Sequence, residues 1–390
     1  MTGHAIVIGG GIGGLAAAVA LRRTGWQVNV LERVGAFEEV GAGLSQSPNA
    51  MRALAALGLA EQARQASMPT WATHTMRLPS GRHLMRAPAH GDPPLRAFRR
   101  AALHRLLQQA LPEDVVRTGI KVTGLSQDAE KVTVTHTAGR KEADLVIGAD
   151  GIHSLTRRLL WPHAPGPRFL GYTAWLGLVD TPISVTGSMT MGRGRYFLIH
   201  PVGPGQVYWA LGTAADRPGV RFDDELEQVR RRVDGWHDPV GALLEATPPE
   251  QVRHIDIHDL PDLPSFTSGR VALLGDAAHA MSPDRGQGAG QSIEDAVVLA
   301  ATLATHGTVS EALTAYDAQR RPRTQATARN ARQAGLQVIK AGPIAHTTTA
   351  LALQLTPSTL WARLAPRALG PLWDWTPPTL PARPDALPNA

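Results

Sequence analysis

Residues 5–33 read AIVIGGGIGGLAAAVALRRTGWQVNVLER, and this stretch decides the fold that we predict for the chain. Residues 5–8 are apolar and of strand type, residues 15–23 form a helical run of small residues, and residues 26–31 form a second strand. A strand, a glycine-rich turn, a helix and a parallel strand make up the first unit of a nucleotide-binding α/β sheet. The stretch therefore predicts a Rossmann-like domain at the start of the chain.

The turn between the first strand and the helix has the pattern G-x-G-x-x-G at Gly9, Gly11 and Gly14, with Gly13 inside the same loop. Gly9 permits a tight turn, Gly11 lets the backbone approach a pyrophosphate, and Gly14 lets helix and strand pack closely. Glu32 follows the second strand, where a carboxylate accepts hydrogen bonds from ribose hydroxyls. This acid favours NAD or FAD over a 2′-phosphorylated nucleotide.

The composition excludes several classes of protein. The 390-residue chain has no cysteine, which excludes structural disulfides, iron–sulfur clusters, thiolate zinc sites and redox-active cysteine pairs. Its net charge of +6 comes from scattered arginines rather than from a basic patch, so we predict no nucleic-acid partner. No apolar run approaches the roughly 18 residues of a membrane-spanning helix. We therefore expect a soluble, cytoplasmic protein.

The pattern of strands and helices changes twice along the chain. After residue 165 the sequence becomes rich in alternating strands, and near residue 271 it returns to a short apolar strand followed by long helices. We predict an α/β fold with a Rossmann-like domain, an inserted, mainly antiparallel β-sheet substrate domain, and C-terminal helices. The predicted boundaries are 1–70, 95–165 and 265–340 for the Rossmann-like domain, 71–94 and 166–264 for the substrate domain, and 341–390 for C-terminal helices and a proline-rich tail.

Two later stretches repeat the logic of the first. Residues 148–157 read GADGIHSLTR, with Asp150 before a glycine, and residues 275–296 read GDAAHAMSPDRGQGAGQSIEDA, with Asp276 after a glycine. Each follows an apolar strand and precedes a helix, the second of which we predict over residues 291–305. Ligands of open α/β sheets bind beyond the carboxyl ends of the strands. All three loops are therefore predicted to converge on one extended ligand.

In order and spacing, the three motifs resemble those of the single-component FAD-dependent aromatic hydroxylases, the flavoprotein monooxygenases typified by p-hydroxybenzoate hydroxylase. The resemblance covers about residues 1–340 and is closest to the branch of salicylate and urate hydroxylases. Residues 171–179 read GYTAWLGLV, similar to the G-Y-x-x-W-x-G stretch of that branch, although an arginine often stands where this chain has Leu176. The resemblance implies that the Rossmann-like domain binds FAD.

The resemblance also implies roles for individual residues. Asp276 would accept hydrogen bonds from the ribityl hydroxyls of FAD, and Arg100 would reach the cofactor. The helix after the Gly-Asp motif would direct its positive end at the flavin ring. The expected FAD-binding residues are Gly9, Gly11, Gly13, Gly14, Glu32, Arg33, Arg100, Asp150, Asp276, Pro283, Gly286, Gln287 and Gly288.

The inserted sheet is expected to supply the catalytic side chains. A phenolic substrate reacts faster as a phenolate, so a base or a cationic partner beside it helps. By resemblance to the urate-hydroxylase branch we predict Arg195 and Tyr208 as catalytic residues, with His200 on the same strands. His254 and His258 share a strand face, but the alternation of an exposed strand explains them, and we predict no metal site.

The implied activity is that of a monooxygenase. NADH or NADPH would reduce FAD, O2 would form a flavin C4a-hydroperoxide, and oxygen would pass to a small aromatic or polycyclic substrate by hydroxylation or epoxidation. The sequence contains no second strand–GxGxxG–helix unit, so we expect the nicotinamide cofactor to bind transiently. The alternatives are a flavin oxidase or dehydrogenase of the same fold and a non-catalytic, flavin-holding ligand-binding protein. We expect a monomer or a homodimer.

Overall fold

The computed structural model describes residues 2–37, 43–70, 75–86, 95–357, 360 and 369–381. The predicted substrate-domain strands of 71–94 and the predicted helices and tail of 341–390 therefore lie partly outside the described residues. The domain boundaries given above stay predictions, and the sheets are described below as the structure has them.

The strands are numbered in chain order: β1 His4–Ile8, β2 Gln27–Leu31, β3 Gly43–Gln46, β4 Met68–Thr70, β5 Met76–Arg77, β6 His83–Met85, β7 Leu95–Arg99, β8 Val116–Arg117, β9 Val122–Gln127, β10 Val132–His136, β11 Gly139–Ala143, β12 Leu145–Gly148, β13 Arg168–Asp180, β14 Ser188–Gly192, β15 Arg195–Gly203, β16 Gln206–Ala214, β17 Val252–Asp259, β18 Thr267–Ser268 and β19 Val271–Leu273. The helices are α1 Ile12–Arg23, α2 Pro48–Ala56, α3 Ala60–Gln65, α4 Arg100–Gln109, α5 Leu155–Leu160, α6 Glu225–Arg232, α7 Val240–Ala246, α8 Asp276–His279, α9 Gly288–Thr305, α10 Val309–Ile339 and α11 Pro343–Leu355. Among the described helices, none combines the length with the apolar character that a bilayer-spanning segment needs.

A six-stranded sheet has the strand order β18–β19–β12–β1–β2–β8 and is parallel apart from its edge strand β18. Val7 of β1 packs on one face with the apolar residues of α1 and α9, whereas Ile6 packs on the other face with the small sheet of β9, β10 and β11. Burial on both faces explains why these strands are apolar throughout. The order places the carboxyl ends of β1, β12 and β19 side by side, although they come from distant parts of the chain.

A seven-stranded sheet has the order β17–β13–β16–β15–β14–β5–β6 and is antiparallel apart from the β14–β5 pair. Because successive side chains of a strand point to opposite faces, this sheet has two distinct surfaces. Phe197 and Trp209 lie in the core under α6 and α7, on what we call the back face. Tyr196 packs with Ile339 of α10 on the opposite side, which we call the front face.

The predicted fold class, α/β with an inserted, mainly antiparallel sheet and C-terminal helices, is confirmed. One boundary differs from the prediction, because α9 begins at Gly288 rather than at residue 291. Glycine is a poor helix former, so the sequence pattern placed the start too late. In the structure, residues 290–303 of α9 are all buried, and tertiary packing overrides the weak local propensity.

The glycine-rich turn after β1 is packed too closely for side chains. A Cβ on Gly14 would lie 2.0 Å from the carbonyl oxygen of Gly9. A Cβ on Gly9, whose φ is +104°, would lie 2.4 Å from the carbonyl oxygen of Ala149. Glycine meets both requirements because it has no Cβ and adopts positive φ at low cost. The turn therefore fixes α1 against β1 and against the residue that follows β12.

We expect Gly14→Ala to lower the free energy of unfolding by about 1–3 kcal/mol, because the added methyl group overlaps the backbone of Gly9. Gly124→Ala is the matched control, since its Cβ would meet Thr135 Cβ at 3.6 Å, and it should change stability by about 0.5 kcal/mol or less. Chemical denaturation of both variants measures the difference. Equal stability of the two would show that the turn tolerates a side chain.

Candidate active site

A cavity of about 1430 Å³ lies between the parallel sheet and the front face of the seven-stranded sheet. Single-ligand pockets usually measure about 300–1,000 Å³, so this cavity has room for a large cofactor and a second molecule. Gly11, Gly151 and Gly275, from the loops that follow β1, β12 and β19, all line it. The three sequence motifs therefore meet at one place, as ligand sites of open α/β sheets do.

The first loop offers the cavity its backbone. Gly11 and Gly13 line the cavity, and a Cβ built on Gly11 would meet nothing within 4 Å, so the backbone there faces open space. Gly11 is also the N-cap residue of α1 and has no side chain to satisfy the first N–H groups of the helix. Free N–H groups at the positive end of a helix favour an anionic group such as a pyrophosphate.

Glu32 lies behind this loop rather than in the cavity lining. Its carboxylate accepts hydrogen bonds from the backbone N–H of Gly10, at 2.6 Å, and of Val34, at 3.0 Å. Each carboxylate oxygen keeps a further lone pair that could accept from a ribose hydroxyl. Arg33 is exposed and does not line the cavity either.

Side chains near the Asp150-Gly151 turn hold that turn in place by hydrogen bonds. Asp150 accepts hydrogen bonds from Ser154 Oγ at 2.5 Å and from the N–H and Oγ1 of Thr156, at 3.0 and 3.1 Å. Its carboxylate therefore holds the first turn of α5, whose N-cap is Ser154, and does not line the cavity. The buried Arg157 donates to the carbonyl oxygens of Ala277, at 3.1 Å, and Ile152, at 2.8 Å. Arg157 thereby ties this turn to α8 of the Gly-Asp motif.

The Asp276 carboxylate lies in the cavity wall next to Gly275. Asp276 begins α8, lines the cavity and makes no side-chain hydrogen bond with any residue that the structure describes. Arg100, the first residue of α4, lines the same cavity. The predicted residues Pro283, Gly286, Gln287 and Gly288 line it as well.

The loop before α9 also needs glycine. Gly286 has φ +60°, and a Cβ there would lie 2.9 Å from Ser45 Oγ of β3. Gly288 and Ala289 bring the N-terminus of the 18-residue α9 to the cavity, and within the described part of the chain no side chain caps it. This end of the cavity therefore receives a second positive helix end.

A buried charged network holds α9 in this position. Arg320 of α10 donates to Glu294 at 2.6 Å, to Asp295 at 2.7 Å and to Gln291 Oε1 at 2.7 Å. The side chains of Arg320, Glu294 and Asp295 are at most 1% exposed. Buried charges are tolerated only when they are paired and fully hydrogen-bonded, as they are here.

The same network reaches the cavity through two loops. His279 Nε2 lies 2.6 Å from Asp295 Oδ2, which also accepts from the backbone N–H of Gly275 at 3.0 Å. Burial alone would raise the pKa of Asp295, but His279 and Arg320 lower it to about 2, so the carboxylate stays charged. On the other side, Asn49 of α2 donates to Glu294 at 2.6 Å and to Gln287 at 3.0 Å.

The front face of the seven-stranded sheet forms the opposite wall. Tyr196, Leu198 and His200 of β15 and Tyr208 of β16 line the cavity. Burial lowers the pKa of His200 to about 4, so this histidine is neutral near pH 7. Burial raises the pKa of Tyr208, so this phenol stays protonated.

The structure corrects the prediction for Arg195. Its side chain does not line the cavity, and its Nη1 donates to the carbonyl oxygen of Arg232 at 2.5 Å, beside α6 on the back face. Tyr196, one residue further, points into the cavity. A shift of one residue along a strand moves a side chain to the other face, and this explains the error.

Sequence reasoning missed an acidic residue in the cavity. Asp284 lies between the predicted Pro283 and Gly286, lines the cavity and accepts a hydrogen bond from the hydroxyl of Tyr172. Gly335 of α10 leaves room for its carboxyl group, because a Cβ there would lie 2.4 Å from Asp284 Oδ2. Burial raises the pKa of Asp284 above its usual value. The sequence does contain a signal for Asp284, because this residue lies inside the glycine-rich loop for which cofactor contacts are predicted.

Within the described residues, no group of three or more His, Asp or Glu side chains could hold a metal ion. His254 is bonded to Glu225, with 3.0 Å from Nδ1 to Oε1, and stacks on Trp175 with ring centroids 4.1 Å apart. His258 Nδ1 bonds the backbone carbonyl of Asp256. These contacts give both histidines a structural role.

Comparison with known proteins places these features in a family. The family described as FAD binding domain matches residues 3–331. The chain is 37% identical over 324 residues to the aurachin C monooxygenase/isomerase of Stigmatella aurantiaca, which covers 81% of this chain and 84% of that protein. It is 37% identical over 333 residues to a FAD-dependent urate hydroxylase of Klebsiella pneumoniae, covering 81% and 85%. A crystal structure of Klebsiella pneumoniae HpxO complexed with FAD and uric acid matches with a TM-score of 0.84, 30% identity, and coverage of 95% and 96%.

We expect Arg320→Met to lower the free energy of unfolding by about 3–5 kcal/mol, because it leaves the buried carboxylates of Glu294 and Asp295 without their cation. Arg329→Met on the same helix is the control, since Arg329 pairs with Asp262 at the surface, and it should cost about 1 kcal/mol or less. Urea denaturation of the two variants measures both values. A small loss for Arg320→Met would mean that the network contributes little.

Proposed function

We propose that this chain, which belongs to the FAD binding domain family and its group of FAD-dependent aromatic hydroxylases, hydroxylates a small, neutral aromatic molecule with NAD(P)H and O2. One atom of O2 enters a carbon–hydrogen bond of the substrate to give a hydroxyl group. The other atom leaves as water, which takes a hydride equivalent from NAD(P)H and one proton from solvent, while NAD(P)H is oxidised to NAD(P)⁺. The observation that carries the proposal is the single cavity that runs from the glycine loop and Asp276 to the tyrosine wall of the front face.

The residues of the cavity fit FAD. The open space at Gly11 and the free N–H groups of α1 suit the pyrophosphate, and the unpaired Asp276 carboxylate suits the hydroxyls of the ribityl chain. The uncapped N-terminus of α9 suits the flavin ring, where reduced flavin carries negative charge. When bound, FAD supplies the redox chemistry that activates O2.

The protein's own side chains orient the substrate and move a proton. We assign Asp284 as the group that accepts the proton of a substrate hydroxyl, because its pKa is raised by burial and lies closer to that of a phenol. Tyr172 holds this carboxyl in place. Tyr208 supplies a hydroxyl donor on the front face, and the neutral His200 adds no charge there.

The apolar lining of the front face supports a neutral substrate. Leu176, Leu198 and Ala210 line this part of the cavity, and their side chains offer no hydrogen bond or charge to a substrate carboxylate. Excluding water from this space protects the reactive flavin. A cytoplasmic location and a monomeric or homodimeric state stay predictions.

The direct test follows NADH and NADPH oxidation and O2 consumption by the FAD-loaded protein with phenol, salicylate and urate as trial substrates. Phenol should stimulate both rates more than the two anionic compounds, and ¹⁸O2 should place one labelled oxygen in the product. Oxidation of NAD(P)H that no aromatic compound stimulates, with no labelled product, would refute the proposal. Bound FAD without any NAD(P)H oxidation would favour a flavin-holding protein.

We expect Asp284→Asn to lower kcat/KM by about 100-fold, because the amide keeps the hydrogen bond from Tyr172 but accepts no proton. The FAD content after purification should stay that of the parent protein. The control is Asp262→Asn, at an exposed ion pair with Arg329, and its kcat/KM should equal the parent value. Unchanged turnover of Asp284→Asn would remove Asp284 from the mechanism.

A further inference from the structure

Along the β6 edge of the seven-stranded sheet, the cavity continues into a space that the reaction described above does not use. This extension is lined by Leu84 and Met85 of β6, Val338 of α10, and Ala350 and Leu353 of α11. We call it the apolar arm. It is continuous with the part of the cavity that Asp284 and Tyr208 line.

One side of α11 faces this space. Ala345, Thr349 and Leu353 line the cavity at intervals of four residues, which is the spacing of one helical face. No residue of α11 is buried, although the helix has a largely apolar sequence. An apolar helix face normally packs on a core, so a face that lines a cavity can bury its apolar surface against a bound molecule.

Most of the described side chains that α10 and α11 contribute to the cavity are apolar or uncharged. Two arginines, Arg86 next to Met85 and Arg285, also line the cavity, and both side chains are exposed. Arg100 and Asp276 belong to the cofactor end. Among the described lining residues of α10 and α11 there is no Asp, Glu, Lys or Arg, and His346 is the one histidine.

We infer that the aromatic substrate carries an apolar, chain-like substituent that lies in the apolar arm. The inference rests on the proposed function, since it assumes that the aromatic ring binds between Asp284 and the front face. With the ring there, a substituent that points away from the flavin enters the space between α10, α11 and β6. The chemical class is a neutral phenol or related ring bearing an alkyl or alkenyl chain.

The test measures binding of a series of 4-alkylphenols to the FAD-loaded protein by titration calorimetry. The probes are phenol and its 4-propyl, 4-hexyl and 4-nonyl derivatives. Each methylene that enters the arm should tighten binding about threefold to fourfold, as expected for buried apolar surface, until the arm is filled. Equal affinity for all four phenols would overturn the inference.

Two leucines of α11 provide a matched pair of variants. Leu353 lines the arm, whereas Leu351 is 52% exposed on the outside of the same helix. Leu353→Asp should weaken binding of 4-hexylphenol at least tenfold and leave the affinity for phenol unchanged. Leu351→Asp should leave both affinities unchanged. The same effect from both variants would also overturn the inference.

The outcome separates this inference from the proposed function. If phenols stimulate NAD(P)H oxidation regardless of chain length, the proposed hydroxylase activity stands and the inference of an apolar substituent is refuted. Binding that tightens with chain length, without NAD(P)H oxidation by any phenol, would keep the apolar arm as a binding site and refute the hydroxylase. If none of the phenols binds, the inference of an apolar substituent is refuted.

Discussion

The pairing of Arg320 with Glu294 and Asp295 is the contact on which the cavity depends. These three groups lie between α9 and α10 with almost no exposure to solvent, so each needs the others to stay charged. Asp295 also bonds His279 and the backbone of Gly275, which sets the position of the Gly-Asp turn. One ionic cluster therefore positions the N-terminus of α9 and the carboxylate of Asp276.

The two sheets contribute to this cavity in different ways, one through the ends of its strands and the other through its face. The parallel sheet offers strand ends, where backbone N–H groups and glycines come close to a ligand. The seven-stranded sheet offers its front face, where side chains such as Tyr196 and Tyr208 stand perpendicular to the strands. The first surface suits the invariant parts of a nucleotide, and the second can change its specificity by substitution of single side chains.

The fold and the cofactor end could be predicted because their signals are local. Strand, glycine turn and helix follow one another within a few residues, and a Cβ on Gly9 or Gly14 would overlap a backbone carbonyl. The front face could not be predicted to the residue, because a strand position depends on a pairing register set by distant residues. Arg195 and Tyr196 differ by one position and lie on opposite faces. The role of Asp150 depends on its surroundings in the same way, because its carboxylate accepts hydrogen bonds from Ser154 and Thr156 at the start of α5.

The exposed position of α11 affects how the protein opens. Segments with few buried apolar contacts unfold locally at a small fraction of the global free energy, while the core stays intact. No residue of α11 is buried, whereas the preceding α10 is anchored by the fully buried Tyr316 and Arg320. Local unfolding of this single helix would open one wall of the cavity and leave the flavin-binding end unchanged. A large substrate could then enter or leave while the core of the protein stays folded.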